Sequence, residues 1–416
     1  QIAGKPPKRV QRGRVCAETK HGDGPLIGPV LPNSRVLSMW RSILPKRAQT
    51  VRVSIVQKTI IIVGAGVIGA CVAYHLARAG ARVTVVDADR AGATAASFGW
   101  INASYFLNED HYHLRSEGIA AYHRLSETLS LPINWCGSIC WEEGRLEDRQ
   151  EALKRLGYAV ERISDQQFAY LEPAVGVPPK LSLHLKAEGV VEPAELAATL
   201  LQGAQEAGAQ VMRGVRVIGV LQDGARVTGV ETQAGKLRAD EVFIAAGVGS
   251  RQLMEMVGFE LPMLHRPALV IKTAPVAPVL THILVSDIGE VRQLPDGALT
   301  MPAAVGHQGD NADHVVDLRQ EAEAALARLQ ALVPDVPLTL AETVLAERPM
   351  PGDGLPAVGP VRPGAYLATM HSGITLAAIM GELISDELLH GETNHTRSWL
   401  APYRPDRFTP SGISET

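Results

Sequence analysis

Apolar positions along the 416 residues follow two rhythms, and the switches between them sketch the elements. The first run, Ile60-Ile61-Ile62-Val63 after Thr59, is short, continuous and closed by a glycine, which predicts a buried strand. Helical spacing follows from Val67 to Ala79 and stops at Gly80. Val83 to Val86 then form a second apolar strand ending in Asp87. A strand, a helix and a strand in so short a stretch is the building unit of a parallel sheet.

Further along, Leu114, Ile119, Tyr122, Leu125 and Leu129 predict a helix over 109–129, stopped by Leu131-Pro132. Glu147 to Leu156 reads as a short exposed helix. Leu196, Ala197, Leu200, Leu201 and Ala204 form another apolar helical face, with Gly208 as terminator. Strands then dominate: 215–221, 227–232 and 236–239 form a meander broken at Asp223-Gly224 and Ala234-Gly235, and 241–245 is a last apolar strand before Gly247. Between Leu261 and Val305 short apolar runs alternate with prolines, as in an antiparallel sheet. Leu318 to Leu332 is amphipathic, and Tyr366 to Leu389 reads as strand, turn and long helix. No internal repeat is evident.

The fold class expected is α/β: a Rossmann-type dinucleotide-binding domain with a discontinuous, mainly antiparallel α+β substrate domain. The first domain is assigned 59–134, 188–258 and 340–392, the second 135–187 and 259–339, leaving 393–416 as a tail. A hydrophobic content of 46% with 20% charge fits a globular chain, and no apolar run reaches the length of a membrane span.

Charge changes the picture at one end. Up to Lys58 there are 12 Lys or Arg against Glu18 and Asp23, a balance of +10 that leaves −14 for the rest of a chain of net charge −4. Residues 1–58 therefore read as a basic extension, either carried over from upstream of a native start or serving as a basic tail or targeting segment. The acidic remainder is a poor footprint for nucleic acid. Four scattered cysteines, Cys16, Cys71, Cys136 and Cys140, suit a reducing compartment, and a cytoplasmic location is expected. Cys136 and Cys140 have three residues between them rather than two and lack partner ligands, so they read as thiols around a strand, and no metal site is expected.

The chemistry begins at Gly64-Ala65-Gly66-Val67-Ile68-Gly69, between the first strand and its helix. The first glycine permits a tight turn, the second lets a pyrophosphate reach the backbone, and the third lets helix and strand pack closely. Amides at the helix start then face the phosphates. Asp87 stands 18 residues beyond Gly69, where it can accept from a ribose hydroxyl. The small, hydroxyl-bearing stretch from Arg90 to Ser97 suits an extended ligand better than another strand and helix repeat.

With that stretch the sequence resembles the D-amino-acid oxidase and dehydrogenase family, which includes glycine oxidase and sarcosine oxidase, over roughly Thr59 to His390. Three later blocks carry the same resemblance: Glu188-Gly189-Val190-Val191-Glu192-Pro193, the Asp240–Gly249 strand and turn with Ala245-Ala246-Gly247, and Leu355-Pro356-Ala357-Val358-Gly359 followed by Met370-His371-Ser372-Gly373-Ile374-Thr375. The resemblance implies FAD held by Gly64, Gly66, Val67, Ile68, Gly69, Asp87, Ala88, Thr94, Ala95, Ala96, Ser97, Val217, Ala246, Gly247 and His371 to Thr375. The last block would close over the isoalloxazine ring. There, donors or a helix N-terminus stabilise the charge that reduction places on the ring, and His371 would add a donor or a positive charge.

Covalent attachment is not expected. The sarcosine oxidase pattern needs a cysteine late in the chain and none follows Cys140, while the dimethylglycine dehydrogenase pattern needs a histidine where Ala95, Ala96 and Ser97 stand.

For the substrate, Arg348 before Pro349 matches the family's carboxylate-binding arginine, a task suited to a planar guanidinium fork. Arg292 is a second candidate. His265 and Arg266 occupy a linker into the substrate domain, and Trp100, Asn102 and Tyr105 offer pocket walls. His111 and His113 read as a solvated helix start. The implied reaction is oxidation of the C–N bond of an amino acid or N-alkylated amino acid by hydride transfer to flavin N5. Positioning would carry much of the catalysis, without an obligatory side-chain base. The electron acceptor would be oxygen, a quinone or an electron-transfer flavoprotein. A 2-hydroxy acid substrate, a role in tRNA modification and a non-catalytic nucleotide-binding role are the rival readings.

Overall fold

A computed structural model describes residues 57–304 and 313–409. Apart from Gln57 and Lys58, the basic extension and Cys16 lie outside the described residues. Val56–Thr416 forms one compact unit. At its centre β1 (Thr59–Val63) pairs in parallel with β2 (Arg82–Val86) on one side and with Glu241–Ile244 on the other. The full sheet runs Ala357–Arg362, Ala365–Thr369, Glu241–Ile244, β1, β2, Gln210–Met212, with only the outermost strand Ala357–Arg362 antiparallel. Its inner strands are buried on both faces, which is why they read as continuous apolar runs rather than alternating ones.

Helix α1 (Val67–Arg78) packs against helices Pro193–Glu206 and Gly373–His390. Glycines permit both approaches: a Cβ on Gly203 would sit 2.9 Å from the Tyr74 ring, and one on Gly381 2.5 Å from Cys71 Sγ. Helix α2 (Glu109–Ser126) packs on the last of these, with Tyr122 and Leu125 buried. It starts at Asn108, whose side chain caps the His111 amide.

The second sheet has eight strands in the order Leu340–Glu347, Pro267–Thr273, Leu299–Pro302, Gly289–Gln293, Ile283–Ser286, Ser138–Cys140, Leu181–Leu185, Glu161–Ser164. Every pairing is antiparallel except Ile283–Ser286 with Ser138–Cys140. Helix Leu318–Leu332 covers it, burying Ala322, Ala325 and Leu329 against Leu269, Ile271 and Leu299. The meander forms at 217–223, 226–232 and 235–238.

Two sequence boundaries move. Leu340–Glu347 pairs along its length with Pro267–Thr273, so it belongs to the antiparallel sheet and not to the dinucleotide-binding domain. Nor is the segment after His390 loose up to Thr409. It forms helix Asn394–Leu400, buries Tyr403, and ties down through Arg404 to Glu387 and Arg407 to Asp353.

Candidate active site

A cavity of about 860 Å³ opens where β1, β2 and Glu241–Ile244 end, bounded on its far side by Leu269, Val270, Gly289, Glu290 and Pro302 of the antiparallel sheet. Such a crevice, beyond the carboxyl ends of parallel strands, is where open α/β sheets take their ligands.

The wall at β1 is shaped by the three glycines. Gly64, at φ +108°, lies so close to the neighbouring strand that a Cβ would be 2.4 Å from the Ala245 carbonyl oxygen. Gly69 lies outside the lining. Its place is against the loop, where a Cβ would be 2.0 Å from the Gly64 carbonyl oxygen and 3.3 Å from Ile62. Gly66 is different, since a Cβ there would meet only Thr94 Oγ1, at 3.2 Å, and otherwise project into the cavity. Helix α1 starts at Gly66 with no side-chain cap and no acid in its first turn. Thr94 Oγ1 accepts from the Val67 amide at 3.1 Å. The Asp87 carboxylate accepts from the amides of Ala65 and Asp89, both at 2.7 Å, so it ties the glycine loop to the end of β2 while lining the cavity. Ile68, Ala88, Ala95, Ala96, Ser97, Val217, Ala246 and Gly247 line the same space.

A second helix opens onto the cavity at the other end. Gly373–His390 begins at Ser372, a non-glycine residue in the left-handed region at φ +59° that makes no side-chain cap, and its first turn also carries no acid. Contacts from Arg115, Tyr122 and Asn102 hold that turn, beside a bond from Thr375 Oγ1 to the Trp100 carbonyl. Arg115 Nη1 donates to Ser372 Oγ at 2.6 Å, Tyr122 OH donates to the Ile374 carbonyl at 2.5 Å, and the Asn102 amide donates to Thr375 Oγ1 at 3.3 Å. His371 beside it is held neutral near pH 7, its pKa lowered to about 4 by burial and then by the Arg348 and Arg115 charges. The positive charge expected of His371 is therefore not available at neutral pH.

The remaining candidates separate. Arg348 lines the cavity, half-buried, with its Nε donating to the Arg266 carbonyl at 3.1 Å. Arg292 does not. It is buried outside the lining, where Nη1 pairs with Glu192 at 2.7 Å and Nε donates to the Phe98 carbonyl. His265 is exposed and pairs with Glu347 at 2.9 Å, again outside the lining. Trp100 and Asn102 reach the cavity, whereas Tyr105 is turned away to Glu142. His111 is buried, not solvated, and burial followed by the Arg115 and His371 charges lowers its pKa to about 3. Glu188 is a fully buried hub that accepts from Trp100 Nε1, Ser138 Oγ and Tyr158 OH, and burial raises its pKa. Cys136 and Cys140 flank and end the strand Ser138–Cys140 as free thiols.

Residues 59–387 match the family described as DAO, FAD dependent oxidoreductase. The chain belongs to that family. It is an FAD-dependent oxidoreductase. Among the DAO relatives, glycine oxidase of Pseudomonas aeruginosa is 26% identical over 349 residues, which cover 79% of this chain and 93% of that enzyme. Glycine oxidase from Geobacillus kaustophilus superposes with a TM-score of 0.73 at 23% identity, covering 85% of this chain and all of the other. L-proline dehydrogenase from P. horikoshii gives the same TM-score at 19% identity, covering 85% and 98%.

The cavity suits the DAO cofactor on its own chemistry. Gly66 leaves room for a phosphate where any side chain would intrude, and two helix starts whose own N-cap residues make no side-chain cap offer positive dipole ends to an anion and to an electron-rich ring. Sequence reasoning missed Arg115. A signal existed: His111, Arg115, Gly118, Tyr122 and Leu125 fall on one helical stripe, and a charge on an otherwise apolar face asks for a buried partner.

Proposed function

We propose that this DAO-family enzyme oxidises the C–N bond of an amino acid or N-alkylated amino acid, with noncovalent FAD lying from the Gly64–Val67 loop to the Ser372–Thr375 turn. Gly64, Gly66 and the α1 amides would hold the pyrophosphate, Asp87 the ribose, Thr94 to Ser97 and Ala246-Gly247 the chain between, and Val217 the adenine. The bound FAD supplies a two-electron acceptor for the hydride of the substrate carbon. Arg348 takes the substrate carboxylate and so orients the amine-bearing carbon toward the ring; His371, neutral, offers a hydrogen bond rather than a charge.

The observation that carries this reading is that Arg348 lines the same cavity as the glycine loop and the Gly373 helix start. Relatives named for glycine, L-proline and sarcosine support it, since those substrates share a carboxylate on the carbon beside the amine. The test is anaerobic bleaching of the flavin by D-amino, L-amino and N-methyl amino acids, matched amines without a carboxylate, and 2-hydroxy acids. Bleaching by amino acids in preference to the matched amines supports the proposal, and bleaching by hydroxy acids alone overturns it. Flavin left on the polypeptide after acid precipitation would sink the noncovalent claim.

A further inference from the structure

Arg115 is a cation buried almost completely in the core, 1% exposed, and its guanidinium reaches the cavity wall. All three of its nitrogens are used: Nε donates to the Asn102 carbonyl at 3.1 Å, Nη2 to Asn102 Oδ1 at 2.5 Å, and Nη1 to Ser372 Oγ at 2.6 Å. None of these acceptors is a carboxylate. The strongest carboxylate influence on it comes from Glu188, whose oxygens are taken by Trp100, Ser104, Ser138 and Tyr158. A buried charge without a contacting counter-ion is costly and persists only where something else compensates it. Burial lowers its pKa to about 10, so it stays charged at neutral pH. The two histidines near it, His111 and His371, are both held neutral.

The residue Arg115 grips is itself strained. Ser372 adopts a left-handed conformation that L-residues avoid unless the surroundings impose it. Its hydroxyl, the usual cap for such a helix start, is given to Arg115 instead. Gly373, Ile374 and Thr375 of that first turn line the cavity, and Ser372 caps none of their amides. On the same helix α2, Gly118 lets the turn approach closely, since a Cβ there would be 2.6 Å from the Thr375 carbonyl oxygen, and Tyr122 holds the Ile374 carbonyl.

We propose that Arg115 is a positioning residue for the flavin: it holds Ser372 in its left-handed turn so that the helix amides face the ring, and its charge favours the reduced cofactor. This rests on the placement of FAD proposed above. The test is the two-electron midpoint potential of FAD-loaded wild type, Arg115→Met, Arg115→Lys, Ser372→Gly and the Arg115→Met, Ser372→Gly double variant, by anaerobic titration against reference dyes. FAD content is measured on each.

Arg115→Met should weaken the preference for reduced over oxidised flavin tenfold or more, a shift of about 30 mV to lower potential. Arg115→Lys keeps the charge but not the three-pronged geometry, so a smaller fall of threefold or more is expected. Glycine takes the left-handed conformation without strain, so Arg115→Met should cost less in the Ser372→Gly background than in wild type. An FAD-loaded Arg115→Met enzyme with its potential within twofold of wild type, and lower thermal stability as its only defect, overturns the proposal. If Arg115→Met does not fold, Arg115→Lys decides on the same twofold limit. Failure of the placement itself shows elsewhere, as wild-type protein that binds no FAD or a Gly66→Leu variant that keeps it.

Discussion

Helices Val67–Arg78 and Gly373–His390 both begin at the cavity without a cap from their own N-cap residue and without an acid in the first turn, yet their starts are held by different means. The first is local. Three glycines within six residues let the backbone turn, admit the approach of Ala245 and leave space above Gly66, and the nearest side-chain help comes from Asp87 and Thr94, within 30 residues of the loop. The second start is imposed from a distance by Arg115, Tyr122 and Asn102, all more than 250 residues earlier. A loop shaped by its own backbone freedom needs no partner to exist. A turn that forces serine into a left-handed conformation exists only because packing over-determines it.

The largest expected effect breaks the first start. Gly66→Leu should fold and yet bind no FAD, because its side chain fills the space left for the pyrophosphate. Flavin absorbance per mole of a variant with native circular dichroism checks this, and unchanged FAD content would show the ligand to be misplaced. Gly69→Val should damage the fold as well, by about 3 kcal/mol or more, since its Cβ collides with the Gly64 carbonyl.

Acid should strike the second start. His111 is buried beside Arg115 and His371 with a pKa lowered to about 3, below its ordinary value of about 6.5. The unfolded chain then binds more protons than the folded one between those values. The stability is fully present above pH 6.5 and falls as pH drops toward 3. In His111→Leu the loss of stability between pH 7 and pH 4 should shrink by on the order of 2 kcal/mol, measured by urea denaturation at both pH values. Equal pH dependence in the two proteins would place the titrating group elsewhere.

Facing both starts, Arg348 should matter to substrate and not to flavin. Arg348→Ala should keep its FAD and lose about tenfold or more in kcat/KM for a carboxylate-bearing substrate, against little change for the matched amine, and Arg348→Lys should recover part of that loss. If both substrates suffer equally, the guanidinium serves the fold, where it donates to the Arg266 and Pro267 carbonyls.

The smallest effect lies at Tyr122. Tyr122→Phe removes the donor to the buried Ile374 carbonyl and should cost about 1–2 kcal/mol of stability, seen in the denaturation midpoint, while leaving FAD content intact. A loss of FAD without loss of stability would mean that the second start is no more robust than a single hydrogen bond.

How much of this was legible follows from the range of the interactions. β1, α1, β2 and the glycine loop are legible in the sequence, because backbone freedom at Gly64, the missing Cβ at Gly69, an apolar period and an acid at the strand end all act within about one supersecondary unit. The sequence also marked the blocks at Ala245-Ala246-Gly247 and His371 to Thr375, though not what holds the latter. The sequence ranks Arg348 above Arg292 by its place before Pro349, but where each side chain goes is set in the folded chain: Glu192 and the Phe98 carbonyl bury Arg292 away from the cavity while Arg348 lines it. The same holds for His111, which reads as solvated beside acidic neighbours and is buried because α2 turns that stripe inward. Residues 340–347 read as part of the dinucleotide-binding domain yet pair in the antiparallel sheet for a related reason, since their partner strand lies about 70 residues earlier and pairing is not written in either strand alone. Charge, polarity and period say what a residue can do; which of its possible partners it meets is set by contacts between segments far apart in the chain, and there the sequence pattern carries no distance.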